Sequence, residues 1–379
     1  MKILLLSCKT GGGHDAAANA LKEQFEKMGH EAFVFDYLTL AGEKVAKRVA
    51  NVYVKTVQKM PSAFGCAYNV GMFISKRTKK SPVYLVNQKM DKYLEPYLEE
   101  HPYDAIVMTH LYPAETLTSM RRKEGAKLPP IFGVLTDYTL TPFWEETECD
   151  EYIIPHKDLM DECVRRGLPK EKLHPFGIPF SPKILAPYSQ IEAKKLLNLD
   201  ENKKVILLIG GSMGAGKLVA LTKSFSKEER INDFQVIVIC GNNEKIYNKL
   251  VKKYKDNHAF VIMGHTNQMP ILMKASDIVY TKPGGLTSTE TVASRKPMII
   301  TYPIPGCENA NRDFFVSHNM ALSANTPDEL VKVGIDLLDD DRKIEAIKDS
   351  QRINIDENAT VNIANFCLLY TSPSPRDRG

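Results

Sequence analysis

The chain has 379 residues, 43% of them hydrophobic and 25% charged, with a formal net charge of +4. This is ordinary globular composition with enough apolar residues for two sizeable cores, and the small net charge by itself points to no class of partner. It excludes a membrane-spanning helix, because no run of about 18 apolar residues occurs, and the opening Ile3–Leu6 run is too short for a secretory segment. Seven scattered cysteines, none at C-x-x-C spacing, fit a reduced cytoplasmic protein better than a zinc or disulfide framework.

From the N-terminus, Lys2–Ser7 reads as an apolar strand, followed by Thr10-Gly11-Gly12-Gly13-His14 and a helical pattern. A strand feeding a glycine turn into a helix start makes an anion site, because bare N–H groups and the positive helix end converge there. Gly11-x-Gly13-x-x-Ala16 also fits a dinucleotide fingerprint, with Asp36 closing the next strand (Glu31–Tyr37) where a ribose-binding acid would sit. Taken alone, that pattern describes a nicotinamide-dependent dehydrogenase. His14 argues otherwise, since an imidazole in the turn suits a reacting centre better than a pyrophosphate cradle.

Between Gly42 and Lys92 stand eleven basic residues and two acidic ones, a local net charge of +9. Val45, Val49, Val52 and Tyr53 recur at helical spacing while Lys44, Lys47, Arg48 and Lys55 take other faces. Phe64, Tyr68, Met72 and Phe73 then precede Lys76-Arg77-Thr78-Lys79-Lys80. Apolar residues bracketed by cations describe a segment lying in an anionic membrane interface, with Phe64, Tyr68, Phe73, Lys76, Arg77, Lys79 and Lys80 as its contacts. The alternative is an amphipathic helix packed on its own domain; no nucleic-acid motif accompanies the charges.

Strands at Asp104–His110, Ile131–Thr136 and Glu151–Pro155 complete a first set, with Asp137 just past the fourth. The proline-rich stretch Pro175–Pro187 suggests an interdomain linker at 179–190 between domains at 1–178 and 191–366. A second set follows at Lys204–Ile209, Phe234–Cys240, Phe260–Met263, Asp277–Thr281 and Pro297–Tyr302. Short Val/Ile/Leu strands alternating with helical segments predict an α/β chain with parallel sheets. After Ile209, the stretch Gly211-x-x-x-x-Gly216-Lys217 is a P-loop up to Leu218, which cannot hold magnesium as a Ser or Thr would. Lys282-Pro283-Gly284-Gly285-Leu286-Thr287-Ser288-Thr289-Glu290 is another strand, glycine turn and helix start, where the Glu290 carboxylate can accept from both hydroxyls of a ribose. Glu308 and Asn309, after the next strand, suit the hydroxyls of a sugar. Residues 367–379 read as a polar, proline-punctuated tail, disordered or non-native.

Taken together, Thr10–His14, Thr136-Asp137-Tyr138, Gly210–Gly214, Lys282–Glu290 and Pro305–Asn311 resemble the monogalactosyl- and processive diacylglycerol glucosyltransferases, relatives of the N-acetylglucosaminyltransferase that makes lipid II. The resemblance covers Met1 to about Phe366. It implies a GT-B fold, two facing Rossmann-like domains with a cleft between them, and inverting transfer of a hexose from UDP-glucose or UDP-galactose to diacylglycerol. No metal or other cofactor is implied. His14 would be the general base, with Asp137 as second candidate or as its orienting partner. Gly12, Gly13, Gly211, Ser212, Gly264, His265, Lys282, Gly284, Gly285, Thr287, Glu290, Glu308 and Asn309 would bind the donor. The enzyme would sit in the cytoplasm, peripherally on the inner face of the cell membrane. Cys307 departs from the family pattern, where a polar residue such as glutamine is expected, and leaves the sugar open. Other readings are a UDP-GlcNAc-type transferase acting on a polyprenyl-linked peptidoglycan precursor, the dehydrogenase, and a nonenzymatic nucleotide-sugar sensor.

Overall fold

A computed structural model of the chain describes residues 1–9, 12–75, 77–78, 80–185, 187–211 and 217–372. Strands β1 (Lys2–Ser7), β2 (Glu31–Asp36), β3 (Ala105–Met108), β4 (Ile131–Val134), β5 (Glu151–Ile153) and β6 (Leu173–His174) form one sheet. Strands β7 (Lys204–Ile209), β8 (Phe234–Ile239), β9 (Phe260–Met263), β10 (Ile278–Thr281), β11 (Met298–Ile300) and β12 (Ala321–Ser323) form another. Helices α1 (Gly12–Lys27), α2 (Glu43–Lys59), α3 (Pro61–Ser75), α4 (Pro82–Gln88), α5 (Asp91–Glu100), α6 (Leu111–Arg121) and α7 (Met160–Arg165) lie between strands of the first sheet or just after them. In the second half come α8 (Gln190–Leu196), α9 (Leu218–Phe225), α10 (Glu244–Tyr254), α11 (Met269–Ala275), α12 (Gly285–Ala293), α13 (Cys307–Ser317), α14 (Pro327–Leu338) and α15 (Asp341–Asn354). The last helix is α16 (Ala359–Thr371).

The chain divides into two compact units, one of Met1–Ser181 with the chain from Glu357 onward, the other of Pro182–Asp356. In the first, β1 is apolar on both faces because both are covered. Ile3 and Leu5 pack with Ala18, Leu21 and Phe25 of α1, while Leu4 and Leu6 pack with Ile106, Met108 and Leu117 on the other side. The second unit repeats the plan, with Ile206, Leu208, Val236, Val238 and Ile278 in its core beside Phe225 and Leu330. Each repeat opens its central strand pair with an aspartate. Asp104 takes the Lys2 amide at 2.7 Å and Asp277 takes the Val205 amide at 2.8 Å, satisfying donors at the start of β1 and β7.

All pairings are parallel, with strand orders β2-β1-β3-β4-β5-β6 and β12-β11-β10-β7-β8-β9. In the first sheet the chain leaves β1 toward β2 and returns to place β3 on the other side of β1. In the second it runs β7, β8, β9 and then places β10 on the other side of β7. These reversals are the points where ligands of open α/β sheets bind, beyond the C-terminal strand ends.

The ten strands expected from sequence all form, and β6 and β12, of two and three residues, add to them. The C-terminal expectation needs correction. Rather than closing a domain at 191–366, α16 belongs to the first unit, where Ile363, Ala364 and Cys367 join the cluster around Ile3 and Phe25 and the Phe366 ring lies 6.1 Å from that of Phe132. Its apolar stripe packs on the same face of the first sheet as α1. Residues 367–371, expected in the tail, are the last turns of this helix. Ser372 is already extended, as the residue before Pro373 must tend to be, and residues 373–379 lie outside the described residues. The first run of unit one ends at Ser181, within the expected linker, and Pro182–Leu185 forms a short 3₁₀ helix of the second unit.

Candidate active site

In the first unit, the crest between β1, β3 and β4 is built around His14. Helix α1 begins at Gly12, so Gly12, Gly13 and His14 occupy its first turn, one step earlier than a free glycine turn would leave them. The half-buried His14 ring has its Nδ1 2.7 Å from the Thr109 carbonyl and 3.1 Å from Thr136 Oγ1. A carbonyl can only accept, so Nδ1 carries the hydrogen, and in the neutral ring the lone pair is then on Nε2. Thr109 Oγ1 donates back to the His14 carbonyl at 3.0 Å. Asp15, the next residue, accepts from Ser7 Oγ and ties the helix start to the end of β1.

His110 follows β3 and packs edge-on against His14, ring centres 4.7 Å apart. Its Nδ1 accepts from the Tyr112 amide at 3.2 Å as the cap of α6. Burial first, and the neighbouring His14 second, hold its pKa well below the usual histidine value. Burial thus favours the neutral form of His110 beside the His14 ring. Asp137 is half-buried directly after Thr136, on the same crest.

In the second unit, three loops meet at the crest between β7 and β10. Gly211 follows β7 with φ +70°, and a Cβ there would stand 2.8 Å from Lys282 Cε. A Cβ on Gly284 would stand 3.2 Å from Lys282 Nζ. Glycine at both positions leaves room for the lysine, and at Gly211 it also meets the left-handed backbone. Lys282 pairs with Glu308, whose other oxygen accepts from the Ile304 amide at 2.8 Å. Glu308 is thus buried with both oxygens engaged by the protein, a brace for Lys282. Asn309 stands beside it, half-buried, at the start of α13.

Glu290 lies in the second turn of α12, which starts at Gly285 after the Gly284 cap. Its half-buried carboxyl makes no hydrogen bond or ion pair among the described residues, and burial alone pushes its pKa up to about 7. A half-buried acid left without a partner, on a helix that follows a glycine turn, is available to a ligand's hydroxyls. Thr287 is half-buried one turn earlier on the same helix. Gly264 and exposed His265 follow β9, at the far edge of the same crest, and a Cβ on Gly264 would have the Gly241 carbonyl 3.9 Å away. Ser212 lies outside the described residues.

The basic segment forms α2, α3, α4 and the start of α5. It exposes Val45, Val52, Met60, Val70, Phe73, Leu85, Val86 and Tyr93, with Val52 and Phe73 each 59% and Val86 65% accessible. The Arg77 guanidinium lies 3.5 Å over the Phe73 ring, and Lys44, Lys47, Arg48, Lys55 and Lys80 are exposed. Phe64 and Tyr68 are half-buried, Phe64 packing edge-on with Tyr53, so of the three aromatic candidates Phe73 is the one fully presented. Lys76 and Lys79 lie outside the described residues. A cavity of about 790 Å³ lies beside this segment, between α3 and α7, and holds none of the candidates at His14 or Glu290. No described helix is long and apolar enough to cross a membrane.

Residues 14–180 match the family model of monogalactosyldiacylglycerol (MGDG) synthase, and residues 205–359 match the C-terminal domain of glycosyltransferase family 28. The chain thus carries, in order, the two domains that these glycosyltransferase models describe. It is 28% identical to a processive diacylglycerol beta-glucosyltransferase of Bacillus pumilus over 357 residues, covering 93% of this chain and 90% of that one. A Bacillus subtilis enzyme of the same name is 28% identical over 352 residues, covering 92% and 89%. Among solved structures, MurG of Acinetobacter baumannii superposes with a TM-score of 0.62 at 13% identity, covering 97% of this chain and 99% of that one. A UDP co-structure of S. aureus MnaA gives 0.64 at 14%, covering 98% and 97%. These likenesses fix the fold as GT-B, two Rossmann-like units each built on a parallel sheet.

Within this family frame, sequence reasoning missed the groups that hold His14. Thr109 and His110 stand at the end of the strand next to β1, and their position beside the reversal of strand order was the available signal. That Thr109 acts through its backbone carbonyl left no signal at all.

Proposed function

We propose that the protein is an inverting glycosyltransferase that moves a hexose, glucose ahead of galactose, from a UDP-sugar to diacylglycerol on an anionic membrane surface at the inner face of the cell membrane. The observation that carries the donor half is the unpartnered, desolvated Glu290 carboxyl on the crest shared with Gly211, Lys282 and Gly284. Two ribose hydroxyls would give it the hydrogen bonds it lacks in the protein. The acceptor half is supported by the names of the Bacillus relatives and by the exposed apolar residues flanked by cations from Val45 to Tyr93.

In the transfer, the acceptor hydroxyl oxygen bonds to the anomeric carbon while the bond from that carbon to the β-phosphate oxygen breaks. The hydroxyl proton passes to His14 Nε2 and the electron pair leaves with UDP. The Thr109 carbonyl orients the ring and stabilises the imidazolium that forms. Helix starts at α9 and α12 take up the charge of the departing diphosphate, so the reaction needs no metal; Leu218 stands where a P-loop would supply a magnesium ligand. Glu308 positions Lys282, and Asn309 beside it is the residue that meets the sugar.

Calorimetry tests the donor half. UDP should bind the wild-type protein and NAD should not, and Glu290→Ala should weaken UDP by about 1.5–3 kcal/mol, the range for a charged hydrogen-bond partner. Unchanged UDP affinity removes Glu290 from the site, and binding of NAD in place of UDP returns the chain to the dehydrogenase reading.

A further inference from the structure

We infer that Lys217 is the cation that grips the donor's diphosphate, an assignment that rests on the UDP-sugar reading above. The sequence places it at the lysine position of an incomplete P-loop, Gly211-x-x-x-x-Gly216-Lys217, in a chain whose Leu218 has no hydroxyl for a metal. In a complete P-loop that lysine reaches phosphate oxygens. Here the lysine is kept although the metal ligand is missing.

The structure adds three observations. Lys217 caps α9 with φ 45°, a left-handed conformation that a residue with a Cβ adopts only at a cost. Its Nζ lies 4.3 Å from the centre of the Tyr302 ring, just past β11. Since β7 and β11 flank β10, this contact bridges the crest above Thr281 and Lys282, between the starts of α9 and α12.

The two lysines on this crest differ in their compensation. Lys282 is neutralised by the buried Glu308. Lys217 is exposed and has no carboxylate within ion-pair distance among the described residues, only an aromatic face. A cation held over a ring is attracted by about 0.5–1 kcal/mol at an exposed site, which orients it without cancelling its charge. The Tyr302 hydroxyl is itself buried without a partner, so the ring face and not the oxygen meets the lysine. Beside two positive helix ends, a compact, uncompensated ammonium recognises phosphate oxygens as a point charge.

Calorimetry with UDP and with uridine, on the wild type, Lys217→Met and Lys217→Arg, separates this role from a structural one. Lys217→Met should lose about 10- to 100-fold in UDP affinity, as expected for a hydrogen bond to a charged group, while uridine stays within about twofold. Lys217→Arg should recover most of the UDP affinity, because the charge returns. If Lys217→Met binds UDP like the wild type, or loses UDP and uridine in equal measure, the lysine does not hold the diphosphate. If the wild type binds neither ligand, the donor reading falls as well, so the two failures are told apart by the wild-type titration.

Discussion

His14 and Glu290 are each left with one functional group for a ligand, by different physics. For His14 the cause is a hydrogen bond: the Thr109 carbonyl at 2.7 Å takes the Nδ1 proton and so presents the Nε2 lone pair. His14→Ala should therefore cut kcat by about 10²- to 10⁴-fold while UDP affinity stays within about twofold, and calorimetry beside a turnover assay reads both. If turnover survives in His14→Ala and collapses in Asp137→Asn, Asp137 is the base. For Glu290 the cause is desolvation, which raises its pKa to about 7. Ribose hydroxyls donating to the carboxylate favour its charged form, so its pKa falls when UDP binds. Below pH 7 the free acid must then lose a proton on binding, and UDP affinity should decline by up to about tenfold per pH unit as the pH falls from 7 toward 5.5. Above about pH 8 the affinity should level off. Glu290→Gln should lose this component, leaving the titration of UDP itself, which both proteins share; parallel pH curves would exclude a ribose contact at Glu290.

At the scale of elements, the basic loop between α3 and α4 is anchored at both ends by neighbouring carboxylates. Ser75 donates to Glu145, which pairs with Arg166 at 2.7 Å, and Ser81 donates to Glu146 through its hydroxyl and, at 2.7 Å, its amide. The anchors hold residues 75 and 81 against the first unit, while Phe73, Arg77 and Lys80 remain outside. Replacing Lys76, Arg77, Lys79 and Lys80 with Gln should weaken binding to phosphatidylglycerol vesicles, at roughly 1 kcal/mol per charge, and leave UDP affinity alone. Sedimentation at several salt concentrations checks this, because electrostatic docking fades as the Debye length shortens from about 10 Å at 0.1 M to about 3 Å at 1 M. Equal binding to neutral and anionic vesicles would mean that α2 and α3 are solvated helices of their own unit.

For the whole molecule, the two sheets and their glycine turns were legible because central parallel strands such as β1 and β7 are apolar on both faces and announce themselves as short runs. The allocation of α16 was not, since an apolar stripe at Ile363, Ala364 and Cys367 fits a sheet face without naming which sheet. Likewise, Glu308 was readable as an acid after a strand, but its capture by Lys282 and the Ile304 amide depends on loops brought together by the fold. Lys217 was visible as the end of a broken P-loop, and Tyr302 became its partner only through the strand order β11-β10-β7. The proposed reaction is hexose transfer from a UDP-sugar to diacylglycerol. The direct measurement is incubation of the full chain with diacylglycerol in phosphatidylglycerol liposomes and, separately, UDP-glucose, UDP-galactose and UDP-GlcNAc, with EDTA present, reading lipid products by mass. Hexosyl-diacylglycerol formed with UDP-glucose in the presence of EDTA, and reduced by about 10²- to 10⁴-fold in His14→Ala, is the expected result; no glycolipid from any donor would contradict it.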